Sequence, residues 1–325
     1  MTIQTARQVC ALLTLATALA TADACVATAQ SQITVVVSVA AGGSSDIGLR
    51  TITSKVEQMG GPKIVIENRP GGGGTVATLG VKDAAPDGRT LMLASYATHV
   101  VNPAMGGGTQ YDPIADFQPI TTLFSFPVML TVPAALEPRT VPDLIALAKK
   151  KPGGLSYASQ GVGTAGHLLG ELFRTSSGAP LVHVPYKGAA PAVIDLVAGR
   201  VDMMFVGVLP SKAHMAAGSL RPLAVTSRKR MQEVPDAPTM AEVGHPDVNT
   251  DFVWFGLMGP AKIPEATVRN LHDLFAKAVA SPDVRDKLAS QGVTVESSTP
   301  AEFAARIKAD TAKFGPLIKA SGAKK

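Results

Sequence analysis

The sequence predicts an α/β protein of two domains, one of which interrupts the other. Three observations carry this reading. Short, near-continuously apolar runs alternate with longer helix-like ones, and the alternation occurs twice. Two long extended segments, 124–132 (FSFPVMLTV) and 252–259 (FVWFGLMG), separate the two sets. Apolar runs without a polar face suit strands covered on both sides, so each set is expected to form a parallel sheet flanked by helices. The two extended segments are expected to lie side by side as crossover strands, a double connection that permits hinge closure around a ligand. A single large α/β sheet is the alternative, and the chain length makes it less favourable.

In the first set, 33–39 (ITVVVSV) reads as a strand, followed by a Gly/Ser loop and a helix over 46–59. The next strand is 63–67 (KIVIE), then four glycines, Gly71 to Gly74, and a helix to about residue 84. Thr90–Ser95 (TLMLAS) is the third strand. In the second set Leu155–Ser159 leads into a helix over 165–175, 181–184 into one over 191–198, and Met203–Val206 into one around 211–217. Helices over 264–280, 283–291 and 300–318 end the chain, with a strand-like piece at 293–295. The expected boundaries are an N-terminal segment 1–29, one domain of 30–130 plus 254–325, and a second of 131–253.

The first 29 residues have the marks of a secretory signal. Arg7 is the one charged side chain in a short start, and 9–22 (VCALLTLATALATA) is apolar or small throughout. A spanning anchor needs about 20 strongly apolar residues, and a buried helix would be amphipathic, which this run is not. Ala27-Thr28-Ala29 is a small-x-small cleavage site that leaves Gln30 as the new N-terminus. The protein is therefore expected to be periplasmic. Both cysteines, Cys10 and Cys25, precede the cut, so no disulfide or thiolate metal site is expected. A lipidated Cys25 would call for an apolar branched residue where Ala22 stands. The net charge of +5 is modest and partly terminal, in Lys319, Lys324 and Lys325. With no arginine-rich stripe or aromatic platform beside it, nucleic acid is excluded as a partner.

Ligands of open α/β sheets bind beyond the carboxyl ends of strands, on loops that open into helix N-termini. Three loops fit that description. In Ala40-Ala41-Gly42-Gly43-Ser44-Ser45-Asp46, the glycines allow close backbone approach and the amides that follow point at an anion. Asp46 either caps the helix or binds an amino group. Ser95-Tyr96-Ala97-Thr98-His99 is either a polar loop with a helix cap or a second part of the site. Ser159-Gln160-Gly161-Val162-Gly163-Thr164-Ala165-Gly166-His167 contains a literal G-x-G-x-x-G, which raises a dinucleotide site. The ribose-binding acid expected about 20 positions further on is missing, because Val184-Pro185-Tyr186-Lys187 stands there. An anion cradle explains these glycines without a cofactor.

Other constellations fail. There is no G-x-S-x-G elbow and no G-x-x-x-x-G-K-[ST]. The six histidines form no H-E-x-x-H and no close pairing with acids, so no metal site is expected. His99 and His167 fall in the proposed loops as capping or packing residues, and 203–205 (MMF) reads as a core strand.

Over essentially its whole length the chain resembles the Bug family, the extracytoplasmic solute-binding proteins of tripartite tricarboxylate transporters. The matching stretches, in order, include AAGGSSDIGLR, IVIENRPGGGGTVA, APDGRTLMLAS, YDPIADFQPIT, LSYASQGVGTAGHLLGELF, VHVPYKGAAPAVIDLVAGRVDMMF and WFGLMGPAKIP. The resemblance implies a type II periplasmic-binding-protein fold, a Venus flytrap of two α/β domains joined by two crossover strands. It implies a carboxylate or dicarboxylate held in the interdomain cleft, no catalysis and no cofactor, a monomer, and transporter membrane components as partners. Residue by residue, it places the site on Ala41, Gly42, Gly43, Ser44, Ser45 and Asp46, with Ser159, Gly163 and Thr164, and Ser95 and Thr98 beside them. Two departures matter. Ser38, Val39 and Ala40 replace the family's Pro-Phe-Pro, and Val206 stands where an Asp is common. Loss of that acid removes a partner for a ligand ammonium, which points to a plain or apolar-substituted carboxylate rather than an amino acid. A sensor presenting its bound state to a receptor, or an exported enzyme, are the other readings.

Overall fold

The structure is a computed structural model that describes residues 32–105, 110–249 and 253–320. The expected signal segment, its cleavage site, Cys10 and Cys25 lie outside these residues, as does Phe252 at the start of the second extended segment.

The first sheet has six strands in the order β11-β4-β10-β3-β1-β2, with β11 (Thr294–Val295) at one edge. Its parallel part is β1 (Ile33–Val37), β2 (Ile64–Asn68) and β3 (Thr90–Ser95). Each is followed by a helical segment: α1 (Ser44–Gln58), α2 (Thr75–Lys82), and a π-helical turn over Ala97–Val101. The second sheet has five strands in the order β7-β6-β8-β5-β9. There β6 (Leu155–Ser159), β7 (Leu181–Pro185) and β8 (Met203–Val206) run parallel and lead into α4 (Ala165–Ser177), α5 (Ala189–Val197) and α6 (Val208–Ala216).

Neither sheet is wholly parallel, which corrects the expectation. β10 (Phe255–Pro260) inserts antiparallel between β3 and β4 (Phe117–Ser125), and β5 (Met129–Pro133) runs antiparallel to both β8 and β9 (Leu220–Val225). An apolar run records burial on two faces and carries no mark of direction. The first extended segment is also two strands rather than one. β4 belongs to the first sheet and β5 to the second, with Phe126-Pro127-Val128 between them. Pro127 has no N–H to donate, so the ladder breaks there. Side-by-side pairing of the two extended segments is confined to the first sheet, where Phe255 lies opposite Phe124.

Helix faces follow the apolar spacing. Leu49, Ile52 and Val56 of α1 recur at i, i+3 and i+7 and are fully buried. They share a core with Val268, Leu271 and Phe275 of α7 (Glu265–Ala280). Among the described residues no helix is long and apolar enough to cross a membrane.

Candidate ligand-binding cleft

The carboxyl ends of β1, β3, β6 and β8 face a cavity of about 480 Å³ between the two sheets. Its polar wall is made of glycines, serines and threonines at helix starts. Gly43, Ser44 and Ser45 open α1, Gly74 opens α2, Thr164 and Ala165 open α4, Ala189 lies at the start of α5, and Gly207 precedes α6. None of these five helices has a side-chain hydrogen bond capping its N-terminus. The first-turn amides of a helix have no partner inside it. Away from the cavity capping is mixed: Thr140 and Asp143 form a reciprocal box on α3 (Val141–Lys150) and Thr299 and Glu302 one on α9 (Pro300–Ala320), whereas α7 and α8 (Pro282–Ala289) have no side-chain cap. Five bare N-termini aimed at one cavity, each with a partial positive charge, make a cradle for an anion.

A second observation points the same way. The Ser44 hydroxyl is buried and has no hydrogen-bond partner. An orphaned buried hydroxyl costs about 1–3 kcal/mol, and Ser44 is one of the residues that line the cavity.

The residues singled out from the sequence separate into two groups. Gly43, Ser44, Ser45, Ser95 and Thr164 line the cavity. Ala41 and Gly42 are exposed and do not line it, and Asp46 is buried behind the loop. Asp46 accepts from the Gly42 amide at 3.0 Å, from Arg50 Nε and Nη2 at 2.9 and 3.0 Å, and from Asn68 Nδ2 at 3.2 Å. Burial pushes this carboxyl up, but the bonds from Arg50, Gly42 and Asn68 outweigh it and hold it below the usual carboxylate range. Asp46 thus fixes the loop that carries the anion-facing amides. Thr98 is buried and bonded to the Ser95 amide at 3.1 Å and to His99 Nδ1 at 2.9 Å. Ser159 bonds Gly161 and His183, and the Gly163 amide donates to His167 Nδ1 at 3.1 Å. Thr164 Oγ1 donates to the Gly161 carbonyl at 2.7 Å, so its proton is held within its own loop. Val206 is fully buried at the end of β8, packed with Ala158, Ala189 and Ala192, and its successor Gly207 faces the cavity.

Sequence reasoning missed two features of the wall. Gly71 to Gly74 line it and all have positive φ, of 142°, 56°, 64° and 95°. Residues other than glycine rarely adopt such a run, and four consecutive glycines between a strand and a helix were the available signal. The other feature is an apolar wall of Val37, Val39, Leu93, Phe126, Val128 and Phe255. Phe126 and Phe255 stack with centroids 5.1 Å apart and planes at 13°. Both rings come from the extended segments, whose apolar residues read simply as strand core. Among the described residues on the wall, Lys187 is the only charged one. The lobes meet beside it: the Ala40 amide donates to the Lys187 carbonyl at 2.8 Å.

Fold and cleft together define a two-lobed protein of the solute-binding type. Comparison with known families agrees. Residues 49–323 match the tripartite tricarboxylate transporter family receptor (TctC), and the chain belongs to that extracytoplasmic receptor family. It is 31% identical to the protein BugT of Bordetella pertussis over 287 residues, 87% of each chain. Among solved structures it is similar to R. palustris Rpa4515 with adipate, at 33% identity and a TM-score of 0.85 over 90% of this chain and 98% of that one. It is also similar to MatC from Rhodopseudomonas palustris with bound malate, at 30% identity and a TM-score of 0.83 over 88% and 98%.

Proposed function

We propose that this chain is exported by a cleavable signal peptide and works in the periplasm as a monomeric solute-binding protein. It captures a small carboxylate in the cleft and presents it to the membrane components of a tripartite tricarboxylate transporter, without a cofactor and without catalysis. The observation that carries this reading is the set of five uncapped helix N-termini around the unpartnered Ser44 hydroxyl. A carboxylate there accepts from preorganised amides, and each charge-assisted bond is stronger than a neutral one. Two relatives with carboxylates bound support the ligand class.

On this reading Gly43, Ser44, Ser45, Ser95 and Thr164 face the ligand, while Ala41, Gly42, Asp46, Thr98, Ser159, Gly163 and Val206 hold those loops from behind. The lobes, 30–130 plus 254–325 and 131–253, turn about the stretch near Pro127 and its neighbour near Val253. Closure brings the Ala40 amide onto the Lys187 carbonyl and shuts water out of the cleft, which strengthens every bond to the anion. Titration calorimetry with adipate, malate and the neutral diamide of adipate tests this. The acids are expected to bind, the diamide not to, and NMR of the acids afterwards to show them unchanged. Absence of binding by either acid, or chemical conversion of one, would overturn the proposal.

A further inference from the structure

We propose that the preferred solute is an arene carboxylate, a carboxylate carried on a flat apolar ring, with the carboxylate at Ser44 and the ring on Phe126. This rests on the reading of the cleft as a carboxylate site and narrows it to one ligand chemistry.

Gly207 leaves no room for a side chain: a Cβ built there would lie 2.5 Å from Ser44 Oγ and 3.5 Å from Phe126 Cδ2, so the orphaned hydroxyl and the ring edge are close neighbours on one stretch of wall. A carboxylate that accepts from Ser44 Oγ has its substituent two bonds beyond the accepting oxygen, a reach that suits the neighbouring Phe126. Phe126 is partly exposed and lines the cavity, as does Phe255 beside it, and Phe255 also stacks on the buried Phe124 at 5.2 Å and 24°. The three rings are mutually near-parallel, Phe124 and Phe126 themselves lying 6.3 Å apart at 18°, and the two that line the cavity give it an aromatic wall. Aromatic pairs in such offset stacks gain beyond the area they bury.

The apolar part of the wall disfavours the other carboxylates, and polar groups such as Ser95, Gln160 and Lys187 belong to the rest of it. Beside the two rings stand Val37, Val39, Leu93 and Val128, which offer nothing to the hydroxyls of a short hydroxy acid. Among the described lining residues there is no Asp or Glu, so the ammonium of an amino acid would be desolvated without a counter-charge. A flexible chain diacid satisfies the apolar wall but must freeze several rotors that a ring has already fixed.

The test is titration calorimetry of the purified protein, freed of co-purified small molecules, with benzoate, cyclohexanecarboxylate, adipate and malate. Benzoate and cyclohexanecarboxylate have the same charge and nearly the same size, and differ in flatness. Benzoate is expected to bind tightest of the four, about three- to ten-fold tighter than cyclohexanecarboxylate. Phe126→Leu, which keeps the wall apolar, is expected to erase the difference between the two ring acids. Tighter binding of adipate or malate would overturn this inference and leave the carboxylate-receptor reading standing. A ring preference that survives Phe126→Leu would overturn the assignment of the aromatic wall. Failure of all four to bind would overturn the carboxylate-receptor reading itself.

Discussion

Gly207→Ala separates binding from stability more cleanly than any other single change. Gly207 has φ −69° and ψ 164°, ordinary extended backbone that alanine adopts without strain. The atom nearest an added methyl would be Ser44 Oγ, at 2.5 Å, with the next two at 3.5 Å. One turn of the Ser44 side chain relieves the contact and withdraws the hydroxyl from the cavity. The ligand then loses a hydrogen bond to a charged group, about 1.5–3 kcal/mol, which is roughly a 10- to 150-fold rise in Kd. The unliganded protein loses nothing comparable, because that hydroxyl has no partner to lose. A glycine replaced at compatible dihedrals even gains about 0.4–1 kcal/mol from the unfolded chain. Titration with adipate and with benzoate, alongside calorimetric melting of the empty protein, reads both quantities. An unchanged Kd would refute the placement of the anion at Ser44. A fall of several degrees in the empty protein's melting temperature would refute the claim that Gly207 is small for the ligand's sake.

Three further outcomes are expected. Asp46→Asn should cost about 1–2 kcal/mol of stability, discounted because half of the Arg50 side chain faces water, and should weaken binding through the loosened Gly42 loop. Because the folded Asp46 pKa is depressed, its contribution is complete above the unfolded value of about 3.9 and fades as pH falls through the folded one. The melting difference between wild type and Asp46→Asn should therefore be constant at neutral pH and narrow only in strong acid; narrowing already at pH 6 would contradict this. Burial and the adjacent His167 hold His183 down at about 4, so between 6.5 and 4 the unfolded chain takes up a proton that the folded chain refuses. Stability should fall as pH drops through that window, and His183→Gln should flatten the slope; equal slopes in both proteins would contradict the assignment. Trp254, the only tryptophan in the sequence, lies on the cavity wall and donates from Nε1 to Asp310 at 2.8 Å. Asp310→Ala should shift its emission and the emission change on ligand binding, whereas identical spectra would show that the indole is held by packing alone.

Much of this molecule was legible in the sequence. The parallel cores of both sheets follow from apolar runs that end at glycine and serine loops, and Ser44, Ser45 and Thr164 stood out because strand-to-helix turns are where amides are left free. Strand direction was not legible: β5 and β10 look like their parallel neighbours in composition, and their reversal is decided by connections that no local pattern records. Strand β9 and helix α3 were passed over, the former because Arg221 and Pro222 interrupt its apolar pattern. The hydroxyl hydrogen of Thr164 and the carboxylate of Asp46 turn away from the cavity toward their own loops. Residue type showed that these groups could bind, and only side-chain direction shows what they bind. The Phe126–Phe255 platform was hidden for a similar reason, since core phenylalanines and cavity phenylalanines read alike in a strand.

A crystal structure with benzoate or adipate bound would locate the anion. A carboxylate oxygen is expected about 2.6–3.2 Å from Ser44 Oγ, with first-turn amides of α1 and α6 completing its shell. A ligand that sits elsewhere, or one in the cleft whose carboxylate leaves Ser44 unpartnered, would contradict this placement.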